Sequence, residues 1–223
     1  GISKRMNIIN LNTKKYIEHR RLEDIFTGKS TDKTPIIGGW IACPEHIAHI
    51  TGKTIEEYWE DPISHSINAY QILGTDGLID IYVPKNKEDF RFVGRDDYWH
   101  AKNLSVEEAL DHIDKLPDSD SINKKFDFDR SYTLFKENLI KYQNQCMNIL
   151  YMPAQWENIP RIILSEIYGY ETFLTLLGLY PEKVGKLIEI NAIQANLNNR
   201  VLAKAIKDGL YPHAVLFGED ICD

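Results

Sequence analysis

Leu73-Gly74-Thr75-Asp76-Gly77-Leu78-Ile79-Asp80-Ile81-Tyr82-Val83-Pro84 reads as a turn feeding a strand. Gly77 to Pro84 is a short apolar run bounded by turn residues, which fits a strand buried on both faces of a parallel sheet. One carboxylate, Asp80, interrupts it near its C-terminal end. A lone buried carboxylate is costly unless it is paired or working. Ligands of open α/β sheets also sit outside the carboxyl ends of the strands. Tyr82 alternates with Asp80, so a regular strand would send both side chains to one face.

Outward from this stretch, strand and helix patterns alternate. Upstream, Tyr16 to Thr27 reads as a charged amphipathic helix ended by Gly28, and Thr34 to Gly39 as a first strand. Short helices are predicted from Pro44 to Ile50 and from Pro62 to Leu73, with a capping box at Thr54-Ile55-Glu56-Glu57 between them. Downstream, residues 85–125 read as an insertion or lid, long for a strand-to-helix loop. Ser105-Val106-Glu107-Glu108 is a second capping box inside it, and Pro117 to Lys125 is its most linker-like part. A long helix from Asp129 to Met147 leads into a third strand, Asn148 to Pro153. Trp156 to Leu179 reads as broken helix, Pro181 opens another that runs towards Asp208, and His213 to Gly218 reads as a fourth buried strand. Such alternation implies parallel strands joined by right-handed crossovers.

Bulk properties narrow the function classes. The 223 residues are enough for one large domain or two small ones. A formal net charge of -7 with scattered basic residues argues against general nucleic-acid binding. No apolar run approaches the roughly 18 residues of a membrane span, and no signal peptide opens the sequence. Cys43, Cys146 and Cys222 lack framework spacing and read as reduced thiols, so the expectation is a cytoplasmic protein.

Three segments carry a family resemblance. Arg21-Leu22-Glu23-Asp24-Ile25-Phe26-Thr27-Gly28 followed by Asp32-Lys33-Thr34-Pro35 resembles the opening of the uroporphyrinogen decarboxylase superfamily. Leu73 to Pro84 is similar to that family's strand in which an Asp interrupts hydrophobic residues before a Pro. Gly169 to Phe173, Tyr180 to Val184 and Gly218-Glu219-Asp220 look like its central helices and the next strand. The resemblance implies an α/β fold, a (β/α)8 TIM barrel of about 340 residues. Residues 1–223 would then be its N-terminal portion, about four βα units with residues 1–33 as a helical extension. The acids at the end of the chain would lie on the rim after an early strand, with further chemistry beyond Asp223.

The candidate residues follow from both sources. Asp80 and Asp220 are the catalytic candidates. By resemblance, Asp80 matches the aspartate that stabilises positive charge developing on a pyrrole; the structural alternative is an Asp capping the next turn. Glu219 joins Asp220 as a binding candidate. Trp40, Cys43 and His46 follow the first strand, Tyr82 shares the face of Asp80, and Tyr151, Gln155 and Trp156 follow the third strand as pocket-lining candidates. The spacing of Cys43, His46 and His49 sweeps around a helix and matches no familiar zinc pattern, so no metal ligand is assigned.

Gly38 to His46 contains no arginine, whereas true uroporphyrinogen decarboxylases carry arginines there for their polyanionic substrate. The leading expectation is therefore methyl transfer between a corrinoid or small methyl donor and a thiol. A decarboxylase-like lyase is the alternative, and a non-catalytic binding paralogue or inactive fragment the third. The implied cofactors are zinc, held by ligands C-terminal to this chain, and a corrinoid as donor. Expected partners are a small-molecule substrate and a corrinoid protein, with a homodimer left open and with neither nucleic acid nor membrane.

Overall fold

The structure is a computed structural model and describes residues 21–84, 87, 104–160 and 165–216. In chain order its elements begin with α1 (Arg21–Phe26), β1 (Ile37–Gly38), α2 (Pro44–Thr51), α3 (Ile55–Glu60), α4 (Pro62–Ile72) and β2 (Gly77–Leu78). They continue with α5 (Val106–Lys115), α6 (Ser119–Lys125), α7 (Phe128–Cys146), β3 (Leu150–Tyr151), a 3-10 turn at Trp156–Asn158, α8 (Ser165–Tyr168), α9 (Tyr170–Leu179) and α10 (Pro181–Lys207). Two compact units result. The first takes in the described residues of Gly1–Arg91, Arg130–Ala154 and Leu202–Leu216, and the second those of Phe92–Asp129, Gln155–Val201 and Phe217–Asp223.

Local chemistry explains the helix ends. Pro44 starts α2 and Gly52, at φ 66°, stops it with amide bonds back to Ala48 and His49. The Thr54 hydroxyl accepts from the Glu57 amide while the Glu57 carboxylate accepts from the Thr54 amide, closing a capping box on α3. Ser105 and Glu108 do the same for α5. Asp118 caps α6, so the segment that reads as linker holds a helix.

The first unit is built on a parallel sheet ordered β1-β2-β3. Ile37 pairs with Gly77, and Leu78 with Tyr151. Below the strands, Asp76 is fully buried: its carboxylate accepts from Arg21 Nη1 at 2.7 Å and from the Ile36 amide at 3.0 Å. Burial pulls that carboxyl up, but the Ile36 amide and the Arg21 guanidinium outweigh it, so it titrates below the usual range. Arg21 also forks onto Asp32 and holds it down at about 2. Leu22, Ile79, Leu139, Met152, Leu202, Ala205 and Tyr211 form one core of this unit, and Ile67, Tyr70, Leu78, Cys146 and Ile149 a second. The second unit packs Ala109 and Ile113 of α5 against Tyr168, Phe173, Leu176, Val184 and Leu187.

The barrel expectation is corrected by this architecture. Among the described residues the chain is mostly helical, with a small three-stranded sheet instead of four βα units of a TIM barrel. Pairing in β2 stops at Leu78, so Ile79 to Pro84 continue as irregular backbone. The fourth strand is also absent among the described residues: His213 to Leu216 form no strand, and Val215 and Leu216 instead pack against the core around Leu22 and Ile79.

One side chain gives a physical reason. On the outer edge of β3, Gln143 of α7 donates its amide to the Ile149 carbonyl at 2.9 Å and accepts from the Tyr151 amide at 2.8 Å. It occupies the bonds that a next parallel strand would need. Gln143→Ala is expected to cost about 1–3 kcal/mol by stranding both groups. It should also promote association through the bared edge. Urea unfolding and size-exclusion chromatography read both effects, and an unchanged midpoint would show the amide to be dispensable.

Candidate functional site

The site grows from the ends of β1 and β2. After Gly38 the chain turns through Gly39, at φ 150°, where an added Cβ would lie 2.5 Å from Ile79 Cγ1 and 2.9 Å from the Asp80 nitrogen. Only glycine lets the two strand ends approach this closely. Tyr70 of α4 secures the following segment: its ring lies where a Gly38 side chain would be, and its phenol oxygen accepts from the Ile41 amide at 2.9 Å. On the neighbouring strand, the Ile79 amide donates to the Gly38 carbonyl at 3.0 Å, and the Ile79 carbonyl accepts from Ala154 at 2.9 Å. Asp80 therefore leaves the sheet from a fixed point.

Asp80 is half-buried, and one carboxylate oxygen accepts from the Ile81 amide at 2.7 Å. Tyr82 holds the Asp80 carboxyl down and Trp40 does the same to the Tyr82 phenol, so the three side chains lie near one another. Trp40 is 62% exposed and Tyr82 37%, so both open to solvent. Burial pushes the Asp80 carboxyl up, and the Ile81 amide and Tyr82 offset only part of it. Among the described residues no lysine, arginine or histidine contributes at Asp80. Its other neighbours are acids too: the phenols of Tyr70 and Tyr151 are raised first by burial and further by the Asp80 charge.

The structure thus brings together Asp80, Tyr82 and Trp40, with Tyr151 part-buried behind them and its ring 5.4 Å from that of Tyr142. Asp80 and Tyr82 lie on irregular backbone past the end of β2. Cys43 stands at the N-cap of α2, with its thiol 3.2 Å from Glu45 Oε2, and His46 is exposed on that helix. Among the described residues no group of three or more His, Cys, Asp and Glu side chains is placed to hold a metal ion. Gln155 and Trp156 belong to the second unit, where Gln155 is buried and Trp156 part-exposed. Glu219 and Asp220 lie outside the described residues. Tyr70 is the member that sequence reasoning missed. Its place in Ser66-Ile67-Asn68-Ala69-Tyr70 reads as core packing, and the only signal is a polar ring among small residues on a buried helix face.

The second unit holds an open cleft of about 640 Å³ between α6, the 3-10 turn and α10. Its polar lining is Lys125, Glu157, Asn191, Gln194 and Asn198, none of them buried, and its one buried liner is Leu197. It brings no desolvated titratable group to a ligand, whereas the Asp80 site does. Comparison of the chain with family models, with curated proteins and with solved structures returns no match. Among the described residues no helix is long and apolar enough to cross a membrane.

Proposed function

We propose that the first unit carries the substrate site of an enzyme acting on a small molecule, with methyl transfer to a thiol as its reaction. The observation that carries this reading is Asp80: a half-buried carboxyl just past the end of a parallel strand, with two open aromatic side chains nearby and, among the described residues, no cation balancing it. Placing it there costs stability. An acid whose folded pKa is raised contributes most below its unfolded pKa, and that contribution is lost as pH rises through the folded value. A group kept at such a cost fits a working role better than a structural one.

In this reading Asp80 orients the donor, Trp40 and Tyr82 line its approach, and the thiol, its proton lost to solvent, attacks the methyl carbon as the donor–methyl bond breaks and its electron pair leaves with the donor. Among the described residues no group of three or more His, Cys, Asp and Glu side chains fits a zinc site, so these residues are given no metal-binding role. A corrinoid, when bound, would supply the methyl group. The choice of methyl transfer rests on the resemblance at Leu73 to Pro84 and on the absence of arginine from Gly38 to His46. Decarboxylation of a tetrapyrrole is the second reading, favoured by the same Asp80 facing a developing positive charge.

Incubation of the chain with methylcobalamin and mercaptoethanol tests the proposal, with the thioether read by mass spectrometry. Asp80→Asn is expected to cut the rate by about a hundredfold. Because the amide carries no charge to desolvate, the same variant should melt a few degrees higher at neutral pH. No thioether from the unaltered chain, or an unaffected Asp80→Asn, sinks the reading. Conversion of uroporphyrinogen to coproporphyrinogen would turn it to the second.

A further inference from the structure

The second unit offers a binding site that stands independently of the Asp80 reading. We infer that the cleft between α6, the 3-10 turn and α10 binds a short neutral oligosaccharide, held by the side-chain amides of α10 and the apolar side chains beside them.

The sequence of α10 changes character where it meets the cleft. Its first turns carry Glu182, Lys183, Lys186 and Glu189, the usual charges of a solvated helix face. From Asn191 to Asn199 there is no charged residue, and five of the nine are carboxamides: Asn191, Gln194, Asn196, Asn198 and Asn199. Asparagine is a poor helix former, so four of them inside a 27-residue helix do not serve the helix itself. Asn191, Gln194 and Asn198 follow the i, i+3, i+7 spacing of one helix face, and all three line the cleft.

Hydrogen bonds pin both walls of the cleft to α10. At the 3-10 turn, Asn158 Nδ2 donates to Asn199 Oδ1 at 2.9 Å, and Asn199 Nδ2 donates to the Asn158 carbonyl at 2.9 Å. Asn198 Nδ2 donates to the Glu157 carbonyl at 3.1 Å. At the other wall, Ser119 Oγ donates to Glu189 Oε1 at 2.9 Å and ties the start of α6 to the same helix. Asn198 thereby presents its Oδ1 in a set orientation, while the exposed Gln194 keeps its whole amide for a ligand.

The lining selects the ligand class. Its charged members, Lys125 and Glu157, are opposite in sign and exposed, so no net charge draws in an anion or a cation. A carboxamide donates through its NH2 and accepts through its C=O, and a sugar hydroxyl likewise does both. Ile122, Phe126 and Ile159 add apolar surface for the C–H faces of sugar rings. The volume of about 640 Å³ falls within the roughly 300–1,000 Å³ of small-molecule sites, and the open shape admits a chain of rings. An extended peptide is usually held along a strand edge, and the described residues of the second unit form no strand.

The plain structural alternative is that these amides only pin the 3-10 turn. It accounts for Asn198 and Asn199, but not for Gln194 or for the loss of charge along this stretch.

Cellotriose and maltotriose are the probes, with N-acetyl-trialanine amide as the neutral peptide control. Each is titrated into the 223-residue chain while the side-chain NH2 resonances of Gln194 and Asn198 are followed by NMR. At least one trisaccharide is expected to shift both pairs saturably, and the peptide to shift neither. Gln194→Ala, at an exposed position, should weaken the binding seen at Asn198 about tenfold, the worth of one hydrogen-bonding side chain. Phe126→Ala should weaken it too, with the melting temperature of each variant checking that it folds. No saturable shift from either trisaccharide, binding unaltered in Gln194→Ala, or a peptide that binds as well as the sugars overturns the inference.

Discussion

Asp76→Ala is expected to destabilise the first unit by about 3 kcal/mol, near the lower end of what breaking a buried ion pair costs. The substitution removes a fully buried carboxylate at that unit's strand entry. It strands the Ile36 amide, which donates to Asp76 at 3.0 Å, and takes a carboxylate partner from Arg21. The effect stays below the maximum because Arg21 is 23% exposed and keeps Asp32. A loss of this size is a large part of the 5–15 kcal/mol typical of a domain. Equilibrium unfolding in urea, followed by tryptophan fluorescence, reads it directly.

The same carboxylate predicts an acid limb. Its folded pKa lies below the ordinary value, so its stabilisation is fully present above the unfolded pKa of about 3.9 and is lost as pH falls through the folded one. The unaltered protein should therefore lose stability below about pH 4. Asp76→Asn, which cannot titrate, should show a flatter curve there. Parallel curves for the two would show that Asp76 is not the group responsible.

Gly39→Ala is the second large effect, about 2–4 kcal/mol. Two costs combine. The residue holds φ 150°, which L side chains rarely adopt, and its new methyl would sit 2.5 Å from Ile79 Cγ1 and 2.9 Å from the Asp80 nitrogen. The first contact could relax by moving a side chain, whereas the second pushes on backbone. Gly52→Ala is the control: its φ is 66°, but nothing lies within 4 Å of the added carbon. It should therefore cost only the conformational part, about 1 kcal/mol. Similar losses at the two glycines would mean that the strand ends do not need to meet as closely as they do. Because the displaced atom belongs to Asp80, Gly39→Ala should also weaken ligand binding more than its loss of stability alone would.

Much of the helical structure is legible in the sequence because helix ends are decided by neighbours a few residues apart. Thr54 with Glu57, Ser105 with Glu108, and Pro44 with Gly52 each complete their work within one or two turns. The sheet is less legible because pairing depends on partners far along the chain. Ile79 to Pro84 has strand-like composition, yet its pairing ends when β1 turns at Gly39 and β3 runs into Pro153. The barrel expectation failed for the same reason: apolar runs such as Ala214 to Phe217 announce burial without saying whether a strand is available to pair with.

The candidate site is partly legible. Asp80, Tyr82 and Trp40 stand out as polar or aromatic residues at strand ends, and the fold gathers them. Gln155 and Trp156 belong to the second unit, since the boundary between the two units falls after Ala154. Tyr70 stayed hidden because a tyrosine on a buried helix face looks like packing until its hydroxyl is seen on the Ile41 amide.

Gln143 has a consequence for how this protein meets others. A parallel sheet normally offers its last strand as a template on which a peptide can lie down and be read residue by residue. Here one amide group already plays the part of that peptide, matched to Ile149 and Tyr151 as a guest strand would be. Any segment seeking that margin must first evict it and find new partners for both of its ends. The β3 margin is thus answered from within.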